Sequence, residues 1–113
     1  MANAAECQEA LEKFAEMLAS KPKTAKKLSG FDRSLACDIT DLDDVSFHGR
    51  FDKGKLVDIE EGDDDEAQIR MILSSDDLLA LVSGELDFKK AFTGGKVKVK
   101  ANMMDMMKLG SAL

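Results

Sequence analysis

The chain has 113 residues and a formal net charge of -6, from 22 acidic and 16 basic side chains. This length predicts a single domain, residues 1–113, and no apolar run is long enough to cross a bilayer. The negative charge argues against nucleic acid as a partner, because a net negative protein is repelled by phosphate backbones.

The N-terminus and the cysteines suggest a compartment. The first residues lack the basic and apolar regions of a secretory signal, so we expect a cytoplasmic protein. Cys7 and Cys37, the two cysteines of the sequence, fall on apolar faces and have no Cys-x-x-Cys spacing. They are predicted to be small buried hydrophobes in a reducing compartment, although the sequence leaves a disulfide between them open.

Residues 1–30 predict two helices. Asn3 and Glu6 have the spacing of a capping box. The apolar residues of an amphipathic helix then follow at i, i+4, i+7 and i+11: Cys7, Leu11, Phe14 and Leu18. Pro22 marks a boundary, and a short second helix is predicted through 26–28, with Gly30 as its stop.

A basic cluster lies near the end of the first helix and comprises Lys21, Lys23, Lys26 and Lys27. Two interpretations fit it. The lysines could make transient contact with anionic lipid headgroups at a membrane surface, or they could be a solvated helix end that complements its own dipole.

Residues 31–73 predict strands, because apolar and polar residues alternate along four runs. The runs are 34–39, 45–52, 56–59 and 67–73. Gly54, in the segment 52–55, can adopt a positive φ and predicts a turn between the second and third runs. The pairs formed among the first three runs are therefore expected to be antiparallel.

Two apolar helices are predicted next. Ser74 and the acidic residues after it are typical of a helix start, and Gly84 ends that helix. Its apolar residues are Leu78, Leu79, Leu81 and Val82. Asp87 can cap a second helix carrying Phe88, Ala91 and Phe92, which Gly94 and Gly95 end.

The C-terminal segment joins a predicted strand, 96–101, to a methionine-rich helix capped by Asn102. Met103, Met106, Met107 and Leu113 fall on one helical face, whereas Asp105 and Lys108 point elsewhere. Methionine side chains are flexible enough to fill a core or to yield to a ligand. The pattern fits a packed core helix and a ligand-binding surface alike.

Candidates for catalysis and metal binding are weak. His48 is the single histidine and lies on the polar side of its strand, so we predict a solvated residue rather than a catalytic base. The acidic run 60–66 lacks the ligand spacing of an EF-hand and is predicted to be a solvated loop rather than a calcium site. No catalytic residue, metal site or cofactor is predicted.

Residues 31–109 resemble the sterol carrier protein 2 (SCP2) domain, and residues 31–38 are most similar to its small stand-alone bacterial members. The resemblance lies in the order of three motifs. They are Ser-Asp-Asp-Leu-Leu-Ala-Leu-Val-Ser-Gly at 75–84, Lys-Lys-Ala-Phe followed by Gly-Gly-Lys at 89–96, and Val-Lys-Val-Lys-Ala-Asn-Met-Met at 97–104.

The resemblance implies an α+β fold: a twisted, mainly antiparallel five-stranded sheet covered by helices, with an apolar tunnel between them. Residues 1–30 would form the N-terminal helices and 31–113 the sheet and tunnel helices. Carried over from the family, the lipid-binding wall would be Leu78, Leu79, Val82, Phe88, Phe92, Met103, Met106 and Met107. Two departures stand out. Ser111-Ala112-Leu113 lacks the basic residue of a peroxisomal address, consistent with a cytoplasmic protein. The charge of Asp105 is expected to narrow or close the tunnel end.

The hypothesis from the sequence is a non-catalytic domain that binds and transfers an apolar lipid: a fatty acid, acyl-CoA, phospholipid or sterol. The alternative is an interaction subunit whose apolar groove receives a helix of a partner enzyme. A thioesterase or acyl-transfer role would depend on His48 as its base. Unchanged turnover in a His48→Ala protein would remove the only candidate base for such a role.

Overall fold

The computed structural model describes residues 2–113, and over that range it contains five helices and five strands. The helices are α1 (Ala4–Ser20), α2 (Pro22–Lys27), α3 (Ser75–Ser83), α4 (Phe88–Thr93) and α5 (Met103–Ala112). The strands are β1 (Arg33–Ile39), β2 (Ser46–Asp52), β3 (Lys55–Glu61), β4 (Ile69–Leu73) and β5 (Lys98–Lys100).

The strands form one sheet in the order β3-β2-β1-β4-β5. The pairs β1–β2, β2–β3 and β4–β5 are antiparallel, and the central pair β1–β4 is parallel. A parallel pair requires a long crossover, which the β2–β3 hairpin and the chain leading to β4 supply. The predicted α+β fold with a mainly antiparallel five-stranded sheet is therefore confirmed.

The helices cover one face of the sheet. Residues of alternating strand positions, such as Cys37, Phe47 and Met71, are buried in a core that also contains Leu11 of α1 and Leu78 of α3. This arrangement follows from the period of two along a strand, which sends every second side chain to the same face. The predicted strand and helix faces thus meet as one two-layer core.

The other face of the sheet is polar and carries ion pairs. Arg70 Nη1 lies 2.7 Å from Asp38 Oδ1 and 2.9 Å from Asp63 Oδ1. Arg50 Nε lies 2.7 Å from Asp58 Oδ2. Because successive strand side chains alternate between the two faces, these charged residues lie on the face opposite the helices.

The N-terminal helices agree with the sequence in kind and differ in extent. The capping box of α1 is present: Asn3 Oδ1 accepts from Glu6 N, and Glu6 Oε1 accepts from Asn3 N. Pro22 was predicted to separate the two helices, but it is the first residue of α2. Proline is tolerated there because the amide of a first-turn residue has no hydrogen-bond partner within the helix. The second helix therefore begins earlier than predicted and ends at Lys27.

The predicted turn between β2 and β3 packs against the segment that follows α2. Gly54 has a φ of +85°, and its amide donates to Phe31 O at 2.9 Å. A Cβ at this position would collide with the carbonyl of Leu28, the residue that follows α2. Glycine is required here both for the backbone conformation and for the close approach.

The acidic run differs from the predicted loop. Its first two residues, Glu60 and Glu61, belong to β3, and the remainder is organised around Arg70. Arg70 Nη2 donates to Asp64 O at 3.0 Å, and its hydrogen bond to Asp63 lowers the pKa of that carboxyl. The run is thus partly strand and partly a loop held by one guanidinium.

Both cysteines are free thiols and both are buried, which resolves the open question of a disulfide. Burial raises the pKa of Cys7, and it raises the pKa of Cys37 to about 12. A thiol with so high a pKa is almost entirely protonated at neutral pH. The prediction that both cysteines are buried is confirmed.

Candidate functional site

The last helix is oriented by an ion pair between a buried carboxylate and a partly exposed arginine. Asn102 caps α5 as predicted, its Oδ1 accepting from Asp105 N at 2.8 Å. Asp105 is 3% exposed, and its carboxylate accepts from Arg33 Nε at 2.9 Å. The buried side of α5 therefore consists of Asp105, Leu109 and Ala112, which are spaced at i, i+4 and i+7.

This orientation turns most of the methionines away from the protein interior. Met103, Met104 and Met107 are 77%, 82% and 69% exposed, respectively. The prediction that Met103, Met106 and Met107 form one inward face is therefore wrong. The SCP2 resemblance implied that these methionines line the tunnel, whereas the hydrogen bond from Arg33 to the Asp105 carboxylate holds the opposite side of the helix against the protein.

A narrow apolar cleft lies between α4, β5 and α5. It is lined by Phe88, Phe92, Val99, Met106, Leu109 and Gly110. Its free volume is about 20 Å³, which is room for about one water molecule. Met106, unlike the other predicted methionines, does face this cleft.

A larger groove, also bordered by Phe88, lies between α1 and the α3–α4 connection. Its free volume is about 230 Å³, and its apolar walls include Phe14, Leu18, Leu81, Leu86 and Phe88. Lys21 and Asp87 supply charges among the residues that line it. Phe88 is common to the linings of the groove and the cleft.

The remaining predicted wall residues have different environments. Leu78 is fully buried in the main core, against residues of α1 and the sheet. Leu79 and Val82 are partly buried and pack on that core, and Phe92 is 38% exposed at the cleft. The structure brings together Phe88, Phe92 and Met106, and separates them from Met103, Met107 and Leu78.

Several lining residues were not predicted as site residues. They are Phe14, Met17, Leu18, Leu81, Leu86 and Leu113 at the groove, and Val99, Leu109 and Gly110 at the cleft. Phe14 and Leu18 had been identified as an apolar helix face, and Val99 as the dry side of a strand. Helical periodicity could identify these faces, but not which of their residues border a space.

His48 lies on the outer, polar side of β2, where its Nδ1 is 3.0 Å from Gly62 O. Its immediate flanking residues, Phe47 and Gly49, are buried on the helix-covered side. Across residues 2–113, no group of three or more His, Cys, Asp or Glu side chains is arranged to hold a metal ion. Within the same residues no helix combines the length and apolar character needed to cross a membrane.

Comparison with solved structures finds the same fold. The chain aligns with SCP2-like 2 from Aedes aegypti at a TM-score of 0.66 and 14% identity, covering 96% of this chain and 97% of that one. The palmitated form of SCP2L2 from Aedes aegypti aligns at a TM-score of 0.60 and 16% identity, covering 88% and 90%. Identities this low show the fold alone.

The same fold also occurs within a much larger enzyme. The chain aligns at a TM-score of 0.60 and 23% identity with the inverting sec-alkylsulfatase Pisa1 from Pseudomonas sp., covering 88% of this chain and 16% of that one. The chain thus spans about one sixth of the length of that sulfatase. No curated protein sequence matches the chain.

The family model described as the SCP-2 sterol transfer family matches residues 11–113. That range extends from α1 through the sheet to the end of α5, and it includes every element that borders the cleft and the groove. The chain belongs to the SCP-2 sterol transfer family.

Proposed function

We propose that this chain is a non-catalytic lipid-binding domain. It holds the apolar part of a fatty acid, acyl-CoA, phospholipid or sterol in the cleft and groove that meet at Phe88, and it carries that lipid between membranes inside the cell. The observation that supports this most directly is the position of Phe88, which lines both apolar spaces. Membership of the SCP-2 sterol transfer family supports the same class of ligand.

The volumes indicate how a ligand would enter. The groove holds about 230 Å³ and the cleft about 20 Å³, whereas pockets for small organic ligands measure roughly 300–1,000 Å³. A long acyl chain therefore needs the cleft to widen. We infer that rotation of the Phe88 side chain joins the two spaces into one channel.

The elements around the cleft are suited to such a movement. α5 packs chiefly on α2, whereas α1 packs extensively on both α3 and β3. α4 is six residues long and is followed by the glycine pair Gly94 and Gly95. Elements with few packing partners open at a lower free-energy cost than elements of the core.

A pair of substitutions at Gly110 tests the ligand site. Gly110 lines the cleft, and a Cβ added there has no heavy atom within 4 Å, so a larger side chain can be accommodated. Gly110→Leu adds a branched side chain at the open edge of the cleft, where it would obstruct entry, and Gly110→Ala changes helix propensity with little added volume. We expect Gly110→Leu to weaken binding of a fluorescent fatty acid by about tenfold, and Gly110→Ala to leave it unchanged.

The ligand itself can be identified by native mass spectrometry and by lipid extraction from the purified protein. We expect one lipid per chain and its displacement by added fatty acid. Purified protein at micromolar concentration that contains no lipid and binds no fluorescent fatty acid would argue against the proposal. Equal binding by the two Gly110 variants would place the ligand elsewhere.

A second candidate function rests on the alignment with the sulfatase, in which this fold forms about one sixth of an enzyme chain. In that case the cleft receives an amphipathic helix of a partner enzyme, since methionine-containing apolar grooves bind such helices. This alternative predicts purified protein without extractable lipid, and a complex with the enzyme that excludes the fluorescent fatty acid from the cleft.

A further inference from the structure

The basic and acidic side chains of this chain are strongly segregated. Residues 21–28 and 88–113 together contain ten of the 16 basic side chains and one of the 22 acidic ones. The remaining residues contain six basic and 21 acidic side chains. The acidic residue in the two basic segments is Asp105, which is buried and paired with Arg33.

The two basic segments lie on the same side of the fold. α2 packs against α5, and α4, β5 and α5 together line the cleft. β5 is one edge strand of the sheet, and β3, which contributes Glu60 and Glu61, is the opposite edge. α1, with four exposed glutamates, packs against β3. A protein of net charge -6 therefore has one cationic side, formed by α2, α4 and α5. The lysines of β5, Lys98 and Lys100, lie instead on the outer face of the sheet, the face of Arg70.

The exposed methionines lie within this cationic side. Met103, Met104 and Met107 are exposed on α5, and Lys108 follows directly with its Nζ 5.8 Å from the centre of the Phe31 ring. At the other end of α5, Lys27 Nζ donates to Ser111 O at 2.8 Å. We call Met103, Met104, Met107 and the lysines of α2 and α5 the α2–α5 face.

We propose that the α2–α5 face docks on the surface of an anionic lipid bilayer. Its methionines enter the boundary between headgroups and acyl chains, and its lysines meet the lipid phosphates and carboxylates. Apolar side chains surrounded by cations complement a bilayer surface, which is anionic outside and apolar beneath. A nucleic acid would match the lysines but offers no comparable apolar layer to the methionines.

This location also relates docking to the proposed cargo. Gly110 and Met106 line the cleft on the flank of α5 next to the methionines, because positions 103, 107 and 110 lie close together around a helix. A bilayer on the α2–α5 face would therefore lie beside the mouth of the cleft. The docking itself does not depend on cargo, since Met103, Met104 and Met107 do not line that cleft.

Vesicle flotation tests the proposal. The wild-type protein is expected to float with phosphatidylcholine vesicles that contain about 30% phosphatidylserine, and to remain unbound with phosphatidylcholine alone. Salt at about 1 M should release it, because the screening length falls to roughly 3 Å. The absence of binding to the anionic vesicles, or equal binding to both kinds, would overturn the proposal.

Two sets of variants locate the surface. Met103→Ser combined with Met104→Ser and Met107→Ser, and separately Lys23→Glu with Lys26→Glu, should each weaken vesicle binding by at least about tenfold. Lys13→Glu with Lys55→Glu makes the same charge change on the acidic side and should leave binding unchanged. An equal loss in this control would show attraction by overall charge alone and refute docking through the α2–α5 face.

Two further measurements separate other outcomes. The triple methionine variant should still bind a fluorescent fatty acid, so a failure of docking and a failure of the proposed cargo binding are distinguished. Binding of a DNA duplex in preference to the anionic vesicles, unaffected by the methionine substitutions, would identify a nucleic-acid surface instead. Circular dichroism checks that each variant is folded.

Discussion

Arg33 and Asp105, separated by 72 residues in the sequence, join β1 to α5 through a hydrogen bond of 2.9 Å from Nε to Oδ2. The Asp105 side chain is 4% exposed and that of Arg33 is 35% exposed. The same guanidinium lies 5.4 Å from the centre of the Phe31 ring, and its Nη1 donates to Asp32 O. This pair sets which side of α5 faces the protein.

Removing either partner of the Arg33–Asp105 pair should lower the stability of the protein, but by different amounts. Arg33→Met leaves a buried carboxylate without its cation and should lower the free energy of unfolding by about 2–3 kcal/mol. Asp105→Leu leaves an arginine that can turn to solvent and should cost less. Urea unfolding measures both, and the double variant should recover part of the loss. A larger loss for Asp105→Leu than for Arg33→Met would contradict this account.

Leu78 and Leu79 are adjacent in α3 but differ in burial, and both were predicted to line the tunnel. Leu78 is 0% exposed in the main core, so Leu78→Ala should lower the free energy of unfolding by about 3 kcal/mol. Leu79 is partly buried, so Leu79→Ala should cost about 1 kcal/mol. Urea unfolding of the two proteins compares them directly. Equal losses would mean that α3 is not fixed in the observed orientation.

Asp41 links the β1–β2 loop to the start of α3. Its carboxylate accepts from Ser75 N at 2.8 Å and from Ser75 Oγ at 2.7 Å, and these hydrogen bonds lower the pKa of Asp41. A lowered pKa in the folded state stabilises the protein above the unfolded pKa of about 3.9, and this contribution is lost as the pH falls through the folded pKa.

We therefore expect Asp41→Asn to be less stable than the wild type near neutral pH and to lose less stability on acidification. The measurement is urea unfolding at about pH 6 and about pH 3. Asp43→Asn, an exposed aspartate of the same loop, is the control. Parallel loss of stability in the wild type and Asp41→Asn would rule out a specific contribution from Asp41.

The thiols offer a probe of global unfolding. Because burial raises the pKa of Cys37 to about 12, roughly one molecule in ten thousand would carry that thiolate at about pH 8. Iodoacetamide should leave Cys37 and Cys7 unmodified in the folded protein, as measured by mass spectrometry. Addition of urea beyond the unfolding midpoint should expose both. Rapid modification of Cys37 without denaturant would show that the core opens locally.

Local sequence determined the secondary structure of this protein well, because its signals act within a few residues. The Asn3 and Glu6 capping box, the Asn102 cap and the Gly54 turn each satisfy backbone groups beside them, and all three are present. Strand alternation predicted one wet and one dry side for the sheet. The resemblance of residues 31–109 to the SCP2 domain added the strand number and the helical cover.

Only the tertiary structure decided which residues line the candidate site. Periodicity places the methionines of α5 on one stripe but cannot say whether that stripe faces inward, and here a residue from β1, Arg33, fixes Asp105 on the buried side instead. The same applies to Phe88, which borders both the cleft and the groove because of how α1, α4 and α5 pack. Local free-energy terms select helix or strand, whereas the satisfaction of a buried charge requires a partner that only the folded chain brings near.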